Sequence, residues 1–520
     1  MHEVELVEVD DEPARSRAAP APGAPGLRRT GPRVDVELDE EGLDEQPDDA
    51  FVAAARTWLR THARWLVPAA VVLVGTLVVT QLTLDHREAA RLAALAAIPG
   101  VVPPTDPSIG VIWRADPRVA AVLRSGSVVQ GTLVGGLQDE SGTPSIVGLD
   151  PDTGVVSWST PVTLPSADPT APDGSSELWI TCSAVPHGRS PVAACIAQQI
   201  GQDVLDTNVT SVWVLDPTDG ELLSTRTFDG DKGLTFTDGA IVVAERAAPE
   251  GADASVARWT VTSSDIVDDG TRWTWTSPPT DVTERAGGAA LESTPDHLVV
   301  GVDGRAWVLT TDGDPVLDVP LDGDSWLQPA RAAVFIESSW TSSELYESTL
   351  LLLDGSQLPV DETVGWLAID DGSAPDVVFT VGESSDGADG LHGRSARTGE
   401  LLWQMAGTVV TSLLLDGTVY VATVDSLVAL DATTGEERWR TELEYMPQQL
   451  STDGQYLLVP GLGVTLEAYA LGDGNLEWST DLSEEVAGDR STVFVQGFQA
   501  GWHDPRLYVW MDSGSVAVLG

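Results

Sequence analysis

At 520 residues the chain could hold two to four ordinary domains or one large repeat array. Its 80 acidic against 28 basic side chains give a formal net charge of −52. That balance excludes nucleic acid as a partner, because phosphates demand Lys and Arg, and it disfavours docking on anionic lipid heads. Tryptophan, with 18 residues, outnumbers Phe and Tyr together (7 and 6), an excess that needs a structural cause.

Residues 1–50 carry acidic runs (VEVDDEP, VDVELDEEGLDEQPDD) around APAPGAPG, with little apolar periodicity. They are expected to form a disordered cytoplasmic tail, either a partner-docking segment or a solubilising extension. Residues 66–84, LVPAAVVLVGTLVVTQLTL, contain no charge over nineteen positions. As a helix they would rise about 28 Å, close to a ~30 Å hydrocarbon core. Trp58 and Trp65 precede the stretch as interface anchors, and Arg56, Arg60 and Arg64 favour an inside N-terminus. The expectation is an uncleaved single-pass membrane anchor with the bulk of the chain outside. The rivals are a cleaved signal peptide, for which the polar leader is too long, and a core helix, for which a polar face is missing. Residues 85–109 read as a helical stalk followed by a stiff Pro-rich linker, VVPPTDPSIG. The Ala/Val/Gly/Asp/Arg bias, with Lys232 as the only lysine, is the coding bias of a GC-rich bacterium.

From residue 110 to 520 the texture changes to short strands separated by Asp-Gly, Pro-Asp and Thr-Gly turns. The best copy of the repeat is LVALDATTGEERWRTEL, in which Asp431 initiates a turn, Gly435 supplies positive φ and Trp439 returns on a second strand. The same spacing recurs at Asp150, Gly154 and Trp158. Asp216 and Gly220 persist with Ser224 in place of the tryptophan, Gly399 and Trp403 with Ser395 in place of the aspartate, and Gly474 and Trp478 with Ala470 there. Degraded copies lie between them, in VARWTVTSSDIVDDGTRWTWTS, AWVLTTDGDPVLDVPL and STLLLLDGSQLPVDE. The spacings from Trp403 to Trp439 to Trp478 leave room for a four-stranded antiparallel blade. The two ends look like halves of one blade: 111–114 is expected to complete the sheet begun by 507–519 and so hide the open edges. The fold class is therefore all-β, a propeller of four-stranded blades, with eight expected and nine the alternative.

The Asp/Ala-x-x-x-Gly-x-x-x-Trp hairpin resembles the pyrroloquinoline quinone (PQQ)-like propeller repeat of quinoprotein alcohol dehydrogenases and of BamB-like outer-membrane assembly lipoproteins. The resemblance implies tryptophans docked between blades. The enzymes of that group use adjacent cysteines, calcium ligands and a catalytic aspartate. Here Cys182 and Cys195 are not adjacent, and no calcium motif is found, the Asp-rich 312–324 included. No catalytic residue, cofactor or metal is therefore expected; PQQ and calcium belong only to the alternative of a PQQ-dependent oxidoreductase. Cys182 and Cys195 flank a turn centred near 188–189 that places them opposite one another, so a disulfide is favoured over two buried thiols. The seven histidines (His2, His62, His86, His187, His297, His392, His503) are scattered and are expected in loops or at the surface. The leading function is a membrane-anchored binding module of the bacterial cell envelope, its partner an envelope protein or a small ligand.

Overall fold

The computed structural model describes 98–520, apart from 140–142, 164–179, 200–208, 231, 248–255, 282–288, 303, 322–324, 332–333, 341–345, 361, 384–388, 488–494, 501–505 and 512, together with scattered residues from 57 to 95. The chain falls into two compact units, Met1–Leu84 and Asp85–Gly520. The acidic tail of 1–50 lies outside the described residues. Of 66–84, only 72, 75, 76, 80, 81 and 83 are described, all helical. Among the described residues no helix is long and apolar enough to cross a membrane.

Among the described residues the second unit has nine blade sheets, one more than the eight expected from the repeat; a small sheet pairs Val256–Ala257 with Thr280–Asp281, and Leu367–Asp370 adds a parallel fifth strand to the seventh blade. Blades 1 to 8 span 127–161, 180–229, 233–276, 290–320, 326–360, 362–406, 409–442 and 451–481. Blade 9 joins Val495–Ala500, Leu507–Met511 and Val516–Leu519 to Val111–Ala115. The extra blade arises because the degraded copies at 290–320 and 326–360 each form a complete four-stranded sheet without a returning tryptophan. Within each blade we call the strands A to D in sheet order. C strands such as Ser426–Asp431 are buried on both faces, whereas D strands such as Leu476–Asp481 alternate exposed and half-buried at the outer edge.

Nine apolar clusters fill the nine junctions between successive blades, including blade 9 with blade 1. The ring is therefore closed. Closure is made as the sequence implied: Trp113 pairs with Val518 and Ala115 with Val516, so an N-terminal strand completes a C-terminal sheet. Arg506 of blade 9 also meets Asp152 of blade 1 at 2.6 Å.

Because successive strands alternate in direction, the A–B and C–D turns emerge on one end of the ring (the turn face) and the B–C tips and D–A links on the other (the link face). The described residues of 85–109, read as a helical stalk and linker, make contacts with the ring. The helical residues and the linker are packed on the turn face of blades 7 and 8, because four apolar side chains find sockets there. Leu95, Val101, Val102 and Ile109 are buried in the junction clusters. Arg91 grips Asp416 at 2.7 Å, the Val102 N–H donates to Thr452 O, and Thr105 donates twice to Asp453 Oδ2.

Candidate functional site

The repeat residues form a single interlocking device. In each good copy the aspartate carboxylate accepts backbone N–H groups two and three residues on, as Asp431 does from Thr433 and Thr434 at 3.1 and 3.0 Å. Asp150 does the same, Asp216 accepts from Thr218, and the Ser395 hydroxyl accepts from Arg397 and Thr398, which explains why serine is tolerated. The glycine N–H then closes the turn onto the carbonyl four residues back, in Gly154, Gly220, Gly399, Gly435 and Gly474, with φ between 68 and 74°. That left-handed conformation is what requires glycine there.

The tryptophan of one blade docks on the turn of the next. Trp158 lies on Gly220, Trp403 on Gly435, Trp439 on Gly474, and the closing Trp113 on Gly154. Each indole N–H donates to a carbonyl of that turn: Trp113 to Pro151, Trp158 to Pro217, Trp403 to Ala432 and Trp439 to Leu471, at 2.9 to 3.1 Å. Trp273 follows the same rule with Gly313 and Thr311. Opposite these rings the C strand carries a small residue, Gly148, Gly393, Ala429 or Ala468 facing Trp158, Trp403, Trp439 or Trp478. The small residue leaves room for the indole to fold back, and it is the sequence signal that accompanies the tryptophan.

Where the tryptophan is missing, other chemistry fills the place. In blade 2, Ser224 leaves the position empty, and Arg226 reaches instead to Asp265 O and Ile266 O, at 2.5 and 3.2 Å. The glycine position of that next turn is Asp269, held at φ 61°, and its carboxylate pairs with Arg226 at 3.2 Å. Leu358 of blade 5 covers Gly399. At blade 9 the C–D turn is split between the two chain ends, and Thr480 donates to Pro107 O there, as Thr160 and Thr441 do to the glycine carbonyls Gly220 O and Gly474 O.

Cys182 and Cys195 stand directly opposite on strands A and B of blade 2 and are joined as a disulfide. His392, expected at the surface, is instead buried in blade 6. Its Nδ1 lies 2.7 Å from Glu362 Oε1, while Arg394 binds both carboxylate oxygens at 2.5 and 2.6 Å and Thr380 donates at 2.5 Å. Burial would push the Glu362 carboxyl up, but the bonds from Arg394, His392 and Thr380 outweigh it and hold it at about 2. A cleft of about 360 Å³ between blades 2 and 3 contains Lys232, whose ammonium is engaged by Glu245 at 2.8 Å. Among the described residues no three His, Cys, Asp or Glu side chains converge as metal ligands.

With the docked tryptophans turned inward, the loop tips and the outer edges of the D strands face solvent. On the link face of blades 7 and 8, Val424, Met446 and Leu462 are 44, 47 and 67% exposed. Leu443 N–H donates to Asp425 O at 2.7 Å, joining the first tip to the second. Tyr445 O–H donates to Glu467 Oε2 at 2.7 Å, and Glu467 in turn lies against Gly461, the neighbour of Leu462. Tyr469 shares the same carboxylate, and both phenols are pushed up, first by burial and then by Glu467.

These features define the chain as a nine-bladed β-propeller. Residues 387–501 match the family described as outer membrane protein assembly factor BamB. The serine/threonine-protein kinase AfsK of Streptomyces coelicolor is 26% identical over 141 residues, which is 27% of this chain and 16% of that one. Among solved structures, BamB from Moraxella catarrhalis is similar at TM-score 0.40 and 14% identity, covering 79% of this chain and 99% of that one. Sqt1 of Saccharomyces cerevisiae is similar at TM-score 0.34 and 12% identity, covering 66% and 97%.

Proposed function

We propose that the propeller is a binding module that presents its link face to an envelope protein or ligand, tethered to the bacterial plasma membrane by 66–84 with the blades outside. The observation that carries this reading is the division of labour in the ring. The recurring Asp and Gly are occupied in closing their own turns and the docked Trp side chains in blade-to-blade contacts, whereas large apolar side chains stand exposed at the tips of blades 7 and 8. The match of 387–501 to an assembly factor agrees with a role on other proteins.

The tether rests on the nineteen uncharged residues of 66–84. The disulfide in blade 2 supports an oxidising compartment outside the cytoplasm.

Photo-crosslinking in intact cells tests the reading. A photoreactive residue at Leu462 is expected to trap a discrete partner that one at Leu476, on an outer strand, does not. Protease added to whole cells should digest the propeller and spare the tail; the opposite pattern overturns the orientation. Tight, calcium-dependent binding of PQQ with dye-linked alcohol oxidation would replace the binding reading with an oxidoreductase.

A further inference from the structure

We infer that the link face of blades 7 and 8 binds a cationic amphipathic segment of a partner protein, its apolar side chains on Val424, Met446 and Leu462 and its Lys or Arg against the surrounding carboxylates. The inference rests on the reading of the ring as a binding module and supplies the address and the partner's chemistry.

Three observations carry it. The first is exposure. Val424, Met446 and Leu462 stand exposed on the tips of two adjacent blades and on the link between them. The second is rigidity. The tips are fixed from below by Leu443 on Asp425, by the Tyr445–Glu467–Tyr469 cluster, and by Leu482 N–H on Val464 O at 2.9 Å. A preformed apolar surface loses little entropy when a partner covers it.

The third is charge. Asp425, Glu442 and Glu444 are exposed around the apolar tips. Glu467 is already engaged by two tyrosines, and the nearby guanidinium of Arg440 is engaged by Glu437 at 2.8 Å and by the Ser426 hydroxyl. Among the described residues the rim is thus left negative. Such a rim selects Lys and Arg and repels both acidic proteins and anionic lipid. It also disfavours a second copy of this chain, since a two-fold pairing would set the same acids against each other. The opposite end of these two blades is covered by 91–109, so the link face is the end they offer.

The test uses the full-length chain and two labelled probes, an amphipathic leucine/lysine peptide of about 14 residues and its leucine/glutamate counterpart. At about 150 mM salt the lysine peptide should bind and the glutamate peptide should not. Photo-crosslinks should fall on the loops containing residues 424, 446 and 462. Met446→Ser with Leu462→Ser, and separately Glu442→Gln with Glu444→Gln, should each weaken binding about tenfold, whereas Leu476→Ser should not. These sites are exposed, so melting should be unchanged; crosslink position stands as the readout if it is not. Crosslinks on another face, or indifference to the Met446/Leu462 change, overturn the address while leaving the ring a binding module. Failure of the lysine peptide to bind overturns the partner chemistry. Dimerisation abolished by the same changes would show a second copy as the occupant. Loss of partner trapping in cells at every face would instead remove the broader reading.

Discussion

The indole of Trp439 lies on the Cα of Gly474 in the following blade and donates its N–H to Leu471 O, 2.9 Å away. One contact thus reads two blades at once, the D strand of one and the C–D turn of the next. Made also by Trp113, Trp158, Trp273 and Trp403, it ties the copies of the motif to their neighbours.

Removing either half should therefore be costly. Trp439, 8% exposed, should lose about 3–5 kcal/mol on change to Ala. Gly474→Ala places a Cβ into the ring at φ 70°, so it combines a clash with left-handed strain. In the double variant the clash is absent, and the combined loss should fall short of the sum by about 1–2 kcal/mol. Urea unfolding of the three variants measures this; strict additivity would mean that the two residues do not touch.

At the junction of blades 2 and 3, Arg226 does the work of the missing tryptophan. Arg226→Ala should destabilise by about 1–3 kcal/mol, since two part-buried carbonyl acceptors lose this donor. Asp269→Gly alone should be nearly neutral, because relief of positive φ offsets the loss of an ion pair whose carboxylate is largely exposed. Thermal melting of both variants decides between this account and a merely superficial arginine.

Reduction of the Cys182–Cys195 bond should lower stability by about 3 kcal/mol, the entropy of opening a short loop in the unfolded chain. Non-reducing peptide mapping should recover the two cysteines linked. Denaturant midpoints with and without reductant give the magnitude.

Acid should act through Glu362. Its carboxyl is held at about 2 in the fold against an ordinary 4.5, a lowered value, so its stabilisation is complete above about 4.5 and is lost as pH falls toward 2. The amount is about 3 kcal/mol. Glu362→Gln leaves Arg394 unpaired and should be less stable at pH 7, but the gap to wild type should narrow between pH 5 and 2. A gap independent of pH would show that the carboxylate is not held by Arg394 and His392.

Much of the scaffold was legible because its determinants are local. Asp431, Gly435 and Trp439 lie within one hairpin, and Cys182 and Cys195 flank one turn, so spacing alone places them. The closing strand was legible because a hairpin at each end lacked its complement. Blade number was not, since blades 4 and 5 carry no returning tryptophan on their D strands. The Glu362 cluster draws on residues 18 to 32 positions apart on three strands, a meeting that exists only once the sheet register is set. The packing of the linker was not legible for a related reason. Val101 and Val102 read as an extended spacer, yet the surface that buries them is some 350 residues away on blade 8. The link-face tips carry no motif at all, because their meaning lies in exposure.

The most direct test of the closed ring is deletion of 110–116 from the full-length chain, followed by thermal melting. Blade 9 would lose its D strand, Trp113 would leave Gly154, and the edge of Val516–Leu519 would open. A closed nine-bladed ring predicts a sharp fall in melting temperature with loss of the single cooperative transition. An unchanged melting curve would contradict it.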